Sequence, residues 1–201
     1  MDKNIVLVRH GQTNFNIEKR FQGWANEESF LTEKGHEQSK LLGTKLKNLK
    51  FVFNKIYSSD LRRARETTED IKLSIGSIPV DYLEILRERG YGNVEKKKWD
   101  DLNIEVFSIE KIYLLDRKHK QGIFANAESL DNLHLRIKKA IQMIHNSKSS
   151  NILIVGHEAF NSLIINTLLK EAPIPHKQDN ANYHYFKLDS SGKVLSYKLN
   201  N

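Results

Sequence analysis

The chain of 201 residues is long enough to bury a core, and it contains no cysteine, which excludes disulfides and thiolate-bound metal. Its first residues carry only a short apolar run and no apolar stretch approaches the length of a membrane span, so we expect no signal peptide and a cytoplasmic protein without a membrane partner. A formal net charge of +7 fits a phosphorylated substrate or a nucleic acid. The basic clusters at Lys96-Lys97-Lys98 and residues 117–120 lack interleaved aromatic side chains, so we expect no nucleic-acid partner.

Short apolar runs predict the strands in chain order. The first covers residues 5–8, the second lies within residues 51–57, and the third covers residues 78–83. A fourth strand is predicted over residues 151–155. Two more, at residues 183–188 and 194–199, flank Ser190-Ser191-Gly192 and predict a hairpin.

Apolar residues at helical spacing predict helices between these strands. Thr32 is a candidate N-cap for a helix over residues 33–49, and Asp60 is a candidate for one over residues 61–75. The polar, aperiodic stretch at residues 84–103 is predicted to be a functional or surface loop. Three further helices are predicted, over residues 104–118, 127–145 and 159–169.

Strands that alternate with helices predict an α/β fold, a three-layer sandwich whose mostly parallel central sheet is flanked by helices. We expect residues 1–201 to form one domain, with a loop and helix inserted at about residues 84–126 over the active site. Ligands of such sheets bind beyond the carboxyl ends of the strands. Three stretches should therefore meet at one edge of the sheet, at residues 9–11, 58–63 and 156–157.

These three stretches bring histidines and arginines together beside glycines. Arginine has a planar fork that matches phosphate oxygens, and histidine is a usable nucleophile near neutral pH. Either histidine alone would more often be a polar residue with ordinary hydrogen bonds. Because both follow apolar strands and adjoin a glycine, the combination predicts phosphoryl transfer through a phosphohistidine.

Seven segments within residues 5–157 carry recognisable motifs. They are LVRHGQTNFN, RFQGW, LTEKGHEQSKLLG, YSSDLRRARETTE, LRERGYGNVE, AESLDNLHLRI and ILIVGH. In this order they resemble the motifs of the histidine phosphatase superfamily, and in particular its phosphoglycerate mutase-like branch, which includes many small phosphatases. A single arginine-histidine-glycine would be weak support, whereas an ordered set of motifs is specific. The resemblance implies the phosphoglycerate mutase-like fold.

The resemblance also implies roles for individual residues. His10 would be the nucleophile, and Glu88 would be the general acid and then the base. Arg62 neighbours the motif arginine and is assigned to the helix surface. No metal and no cofactor is implied. The residues implied in binding the phosphate or the substrate are Arg9, Asn16, Gly23, Arg63, His157 and, as part of the pocket lining, Gln12.

The leading hypothesis is a metal-independent phosphomonoester hydrolase that acts on a small phosphorylated metabolite. One alternative is a cofactor-dependent phosphoglycerate mutase, and another is a catalytically weak phosphate-binding or regulatory module. The catalytic residues that the resemblance implies are all present, which argues against the weak module. They are Arg9, His10, Arg63, Glu88 and His157. A homodimer is a further expectation, and the sequence leaves the substrate open.

A short chain favours hydrolysis over mutase action. A mutase must keep water from its phosphoenzyme, and this requires a lid. Only residues 89–126 separate Glu88 from the glutamate-serine helix start, and the chain ends soon after its last predicted strand, so we expect an open site. The chain also departs from the family pattern at Glu158, where glycine is common, and this residue borders the substrate side.

Overall fold

The computed structural model describes residues 1–102, 125–171 and 176–200, and its centre is a six-stranded sheet. The strands in chain order are β1 (Lys3–Arg9), β2 (Lys55–Ser59), β3 (Val80–Leu83), β4 (Asn151–Gly156), β5 (Tyr183–Leu188) and β6 (Val194–Lys198). Across the sheet their order is β3-β2-β4-β1-β5-β6. Neighbours from β3 to β1 are parallel, whereas β5 and β6 run antiparallel as the predicted hairpin. The prediction of a mostly parallel α/β sheet is confirmed.

Five α-helices occur among the described residues. They are α1 (Asn14–Ile17), α2 (Glu33–Lys47), α3 (Arg62–Ile75), α4 (Leu130–Asn146) and α5 (Glu158–Leu169). Thr32 caps α2 as predicted, since its side chain accepts a hydrogen bond from the N–H of Gly35 at 3.1 Å. The helix predicted over residues 104–118 lies outside the described residues. No helix in the described part is long and apolar enough to span a bilayer.

Two predicted helix starts are wrong, and the reasons are local. Asp60 does not cap α3, whose N-cap is Leu61, because the Asp60 carboxylate binds the guanidinium of Arg87. Helix α4 begins after Ser129 rather than at residue 127, because the Ser129 hydroxyl accepts from the N–H of Asn132 at 3.2 Å. A side chain caps a helix only when its oxygen is free to accept from the first turn.

Helices cover both faces of the sheet, and β1 shows why the fold has three layers. Ile5 and Leu7 pack on one side in a core shared with α4 and α5. Val6 and Val8 pack on the other side with α2 and α3. Successive strand residues point to opposite faces, so a continuous apolar run is what a strand covered on both sides requires.

The sheet brings the predicted functional stretches to one edge. In the parallel pair of β1 and β4, Arg9 lies opposite Gly156. Strand β2 also runs parallel to β4 and ends at Ser59, just before α3 begins. The residues that follow these three strands therefore lie at the same edge, as the strand order requires.

Candidate active site

His10 follows β1 and is buried, with 3% of its surface exposed. Its Nδ1 lies 2.8 Å from the carbonyl oxygen of Gly11. A carbonyl only accepts hydrogen bonds, so Nδ1 carries the proton and Nε2 keeps a lone pair. Burial, followed by the positive charges of Arg63 and Arg9, holds the pKa of His10 well below its usual value. The ring is therefore neutral at pH 7, as a nucleophile must be.

His157 lies beside His10 and is fully buried. The centroids of the two rings are 5.2 Å apart. Burial is the largest cause that lowers the pKa of His157 well below normal, and the charge of Arg63 adds to it. Neither ring nitrogen has a hydrogen-bond partner among the described residues. Buried polar atoms are normally paired, so the ring is suited to bind a ligand oxygen.

Arg63 supplies a buried positive charge at the start of α3. Its two terminal nitrogens donate to the carbonyl oxygens of Ala25 at 2.9 Å and Gly23 at 2.8 Å. Burial lowers the pKa of Arg63 to about 10, which leaves it charged at neutral pH. Its partners are carbonyl oxygens, which orient the guanidinium without cancelling its charge. A phosphate bound here would meet a fixed cation.

Gly23 contributes through its backbone. Its φ of +46° is a left-handed conformation that favours glycine, and an added Cβ would lie 2.1 Å from Oε1 of Glu95. The same Glu95 oxygen accepts from the N–H groups of Trp24 and Tyr91, at 3.0 and 2.8 Å. Glycine at this position thus lets the loop that holds Arg63 pack against the loop after Glu88.

Arg9 is the second arginine at this edge, and its surroundings differ from those of Arg63. Its Nη1 donates to the carbonyl oxygen of Gln178 at 2.5 Å and lies 2.7 Å from Oε2 of Glu158. Its Nε has no hydrogen-bond partner in the described ranges. Part of the Arg9 charge is therefore shared with a carboxylate.

Glu88 lies in the loop after β3 and caps helix α5. Its two carboxylate oxygens accept from the N–H groups of Ala159 at 3.2 Å and Phe160 at 3.0 Å, and one of them also accepts from its neighbour Arg89 at 3.0 Å. The N-terminus of a helix favours such a negative group. These bonds hold the carboxyl group beside His157, the residue that precedes α5.

The Glu88 loop is held by residues that sequence reasoning missed. The guanidinium of Arg136 donates to the carbonyl oxygens of Ile85 and Glu88, both at 3.1 Å. The same guanidinium forms a two-bond pair with Glu128 at 2.8 and 2.6 Å. Glu128 and Arg136 both lie in the AESLDNLHLRI segment, which could have signalled them.

His10, Arg63, Arg9 and Glu88 line a cavity of about 130 Å³, and His157 is not among its described lining residues. Asn16 lines it, and because its Oδ1 accepts from the Thr13 N–H at 3.0 Å, its amide NH₂ is the group suited to a phosphate. Gln12 is not among the described lining residues. Its Oε1 instead accepts from the Thr32 hydroxyl at 3.1 Å. The lining consists of Arg9, His10, Asn16, Arg20, Phe21, Gln22, Gly23, Arg63, Glu88, Tyr91, Trp99 and Glu158.

Three aromatic rings form one side of this cavity and were not predicted. Phe21 lies 5.2 Å from Tyr91 and 6.2 Å from Trp99, measured between ring centroids. Tyr91 and Trp99 belong to the polar loop that follows β3, where periodicity gives no signal. Arg62 lies on the helix surface as predicted, with its Nε 2.7 Å from Glu66.

The geometry can now be compared with known proteins. A sequence model of the histidine phosphatase superfamily (branch 1) matches residues 5–200, and the chain belongs to this superfamily. It is 31% identical to a 2,3-bisphosphoglycerate-dependent phosphoglycerate mutase of Bartonella tribocorum, over 78% of this chain and 77% of that protein. It is 30% identical to a broad-specificity phosphatase of Saccharomyces cerevisiae, over 88% and 76% of the two chains.

The solved structures give the same family. The alpha-ribazole phosphatase from Shigella flexneri superposes with a TM-score of 0.81 at 25% identity, covering 98% of this chain and 96% of its own. The prediction of an enzyme of the phosphoglycerate mutase-like fold is confirmed. Relatives with mutase names and relatives with phosphatase names both occur, so the comparisons define a phosphatase or mutase of this superfamily.

Proposed function

We propose that the protein is a phosphomonoesterase that hydrolyses a small phosphorylated metabolite through a phosphohistidine at His10. The observation that carries this proposal is the hydrogen bond from Nδ1 of His10 to the Gly11 carbonyl, which leaves Nε2 as the nucleophile. Arg63, Arg9 and His157 surround the place where the phosphate would lie. The fixed positive charges of Arg63 and Arg9 would stabilise the charge that develops on the phosphoryl oxygens, and the neutral ring of His157 would donate an N–H to one of them.

In the first step, Nε2 of His10 attacks phosphorus and the bond from phosphorus to the leaving oxygen breaks. In this proposal the negative charge of the incoming phosphate favours the protonated form of Glu88 over the carboxylate that the three N–H groups favour, and Glu88 gives its proton to that oxygen as the alcohol leaves. In the second step the Glu88 carboxylate removes a proton from water. The water oxygen attacks phosphorus, the phosphorus–nitrogen bond breaks, and inorganic phosphate and neutral His10 result.

The proposal routes no step through a metal ion, because the arginines and the capped Glu88 supply the charge and the proton. Asn16 and Gly23 are proposed to contact the phosphate or substrate. The position of Gln12 gives no support to a similar role, so that assignment stays a prediction.

We also propose a single domain over residues 1–201. The stretch expected to lie over the site, at about residues 84–126, includes residues 103–124, which lie outside the described residues. Glu88, Tyr91 and Trp99 belong to that stretch and line the cavity, which supports the proposal. The family match over residues 5–200 supports it as well. A cytoplasmic location, a homodimer, and the absence of nucleic-acid partners and cofactors stay predictions.

Trapping the intermediate tests this proposal. A brief reaction with a ³²P-labelled phosphomonoester, stopped in alkali, should leave label on the wild-type protein and none on His10→Ala. The label should be released by acid, as a phosphohistidine requires. His145→Ala removes an exposed histidine of α4 and should label like the wild type. Equal labelling of His10→Ala would contradict the proposal.

Mutase action is the second candidate, because relatives of similar identity carry that name. Supplying 3-phosphoglycerate with a trace of 2,3-bisphosphoglycerate separates the two activities. Hydrolysis predicts steady release of phosphate with little isomerisation. Rapid isomerisation with negligible phosphate release would favour the mutase.

A further inference from the structure

Glu158 lies where the phosphate clamp meets the general acid. It is the first residue of α5, and its carboxylate contacts Arg9 at 2.7 Å. Its side chain is 19% exposed and lines the cavity. The proposed phosphoryl transfer gives it no proton to carry and no bond to make. A carboxylate beside an anion site is unfavourable in itself, which points to a role in choosing the substrate.

The position of Glu158 places it at the leaving-group end of the cavity. Glu88 is held by the N–H groups of Ala159 and Phe160, the two residues that follow Glu158. Both carboxylates therefore lie at the first turn of α5. Because Glu88 would deliver the proton to the leaving oxygen, the carbon attached to that oxygen would lie close to Glu158.

The charges around this end disfavour a further anion. The cavity lining contains three arginines among the described residues. The bound phosphate would pair with Arg63, and it would compete with Glu158 for Arg9. The third, Arg20, is paired with Glu18 at 2.5 Å. Lys177, which also acts on Glu158, lies 3.9 Å from Asp179. A carboxylate on the substrate next to its phosphate would therefore face Glu158 and Glu88, and the nearby cations of the described residues already have acidic partners. A hydroxyl group there could instead donate to the Glu158 carboxylate.

We propose that Glu158 selects phosphomonoesters whose leaving group carries hydroxyl groups and no carboxylate near the phosphate. Tyr91 and Trp99 line the same cavity and offer an apolar surface to the carbon chain of such a substrate. This inference rests on the proposed phosphatase function. It names the substrate class as polyol or sugar phosphates, and it places phosphoglycerates among the rejected ones.

A matched pair of substrates isolates the effect of Glu158. Glycerol 3-phosphate and 3-phosphoglycerate share the three-carbon chain and the phosphate, and differ in a hydroxymethyl group against a carboxylate. Burial raises the pKa of Glu158 and the charge of Arg9 opposes the rise, so the assay is run at pH 8 to favour the ionised carboxylate. The quantity measured is kcat/KM for glycerol 3-phosphate divided by kcat/KM for 3-phosphoglycerate.

We expect the wild type to favour glycerol 3-phosphate and Glu158→Gln to lower the ratio by about 10-fold, since it removes one like charge at contact range. Glu158→Asp keeps the charge and should keep most of the preference. Glu37→Gln removes one carboxylate from an exposed position of α2 and should leave the ratio unchanged within about 2-fold. Taking a ratio cancels any change in phosphate affinity that comes from releasing Arg9.

Two outcomes overturn the inference while the phosphatase proposal stands. One is an unchanged ratio in Glu158→Gln, and the other is a wild type that prefers 3-phosphoglycerate, each with 4-nitrophenyl phosphate still hydrolysed. If 4-nitrophenyl phosphate is not hydrolysed, the phosphatase proposal fails instead. The selectivity is then measured by calorimetry as the ratio of the two Kd values in His10→Ala, with and without Glu158→Gln. An equal ratio of Kd values would again refute the role of Glu158.

Discussion

The proposed phosphate end of the cavity and its proposed leaving-group end are built in different ways. At the phosphate end, His10 and Arg9 belong to the end of β1 and its first loop residues, and Arg63 stands in the first turn of α3. At the leaving-group end, Glu88 lies in a loop that Arg136 and Trp24 hold through its backbone carbonyls. The first end is fixed by secondary structure, whereas the second depends on contacts between distant segments.

This difference explains what the sequence could and could not predict. An apolar run that ends in Arg9 and His10 is a local pattern, and its place at the sheet edge follows from strand order alone. The contact between Glu88 and the N–H of Phe160 joins residues 72 positions apart, and no periodicity encodes it. Glu88 was found only through the family resemblance.

The leaving-group end should show the largest effect of a single substitution. Glu88→Gln removes the proposed general acid, and general acid catalysis is worth about 10²–10⁴ in rate. We expect a loss of about 10³ in kcat/KM for an alkyl phosphate such as glycerol 3-phosphate, because an alkoxide needs protonation to leave. For 4-nitrophenyl phosphate the loss should be below about 10-fold. The measurement is the slope of log kcat/KM against the pKa of the leaving alcohol, for both proteins.

Glu84→Gln is the matched control for this prediction. Glu84→Gln alters a carboxylate of the same loop region that is 77% exposed and paired with Arg87. Its slope should equal that of the wild type. A uniform loss across all leaving groups in Glu88→Gln would show that Glu88 supports α5 and does not transfer the proton.

The phosphate end should behave in the opposite way. Arg63→Lys keeps the charge but loses the fork that donates to the carbonyls of Gly23 and Ala25. We expect kcat/KM to fall by about 10², equally for good and poor leaving groups, because the lost interaction is with the phosphoryl oxygens. The same series of leaving groups measures it, and parallel lines are the expected result.

The neighbouring arginine supplies the control for Arg63. Arg62→Lys changes a surface residue that pairs with Glu66 and lies over the ring of Phe30 at 5.0 Å. Its activity should stay within about 2-fold of the wild type. A loss of kcat/KM in Arg63→Lys that grows with the pKa of the leaving alcohol would contradict this prediction, because the two ends of the cavity would then respond alike.

The predicted N-cap of α3 was wrong because the side chain of that residue makes a competing contact. Asp60 is a good N-cap residue by type, yet its carboxylate is used by Arg87 from the loop after β3. Helix α1 has four residues, which is too short for a periodic signal. The strands and the long helices were predictable. Burial on one or both faces requires apolar residues at a regular spacing, and that spacing is visible in the local sequence.

The smallest effect concerns a buried histidine outside the site, His184 in β5. Its Nδ1 accepts from the N–H of Asn200 at 3.1 Å, and burial lowers its pKa to about 4. The unfolded chain binds a proton at the usual value of about 6.5. Between those two values the unfolded state holds more protons, so His184 stabilises the fold above pH 6.5 and this contribution is lost as the pH falls towards 4. His184→Gln cannot take up that proton, so its Tm should fall by about 4–7 °C less than the wild-type Tm between pH 7 and pH 5. His10 and His157 titrate in the same direction but are present in both proteins, so their contributions cancel in the difference between the two slopes.

Scanning calorimetry at several pH values measures both slopes of Tm against pH. Activity at pH 7 should be unaffected because His184 does not line the cavity. Parallel slopes would show that burial does not hold His184 neutral.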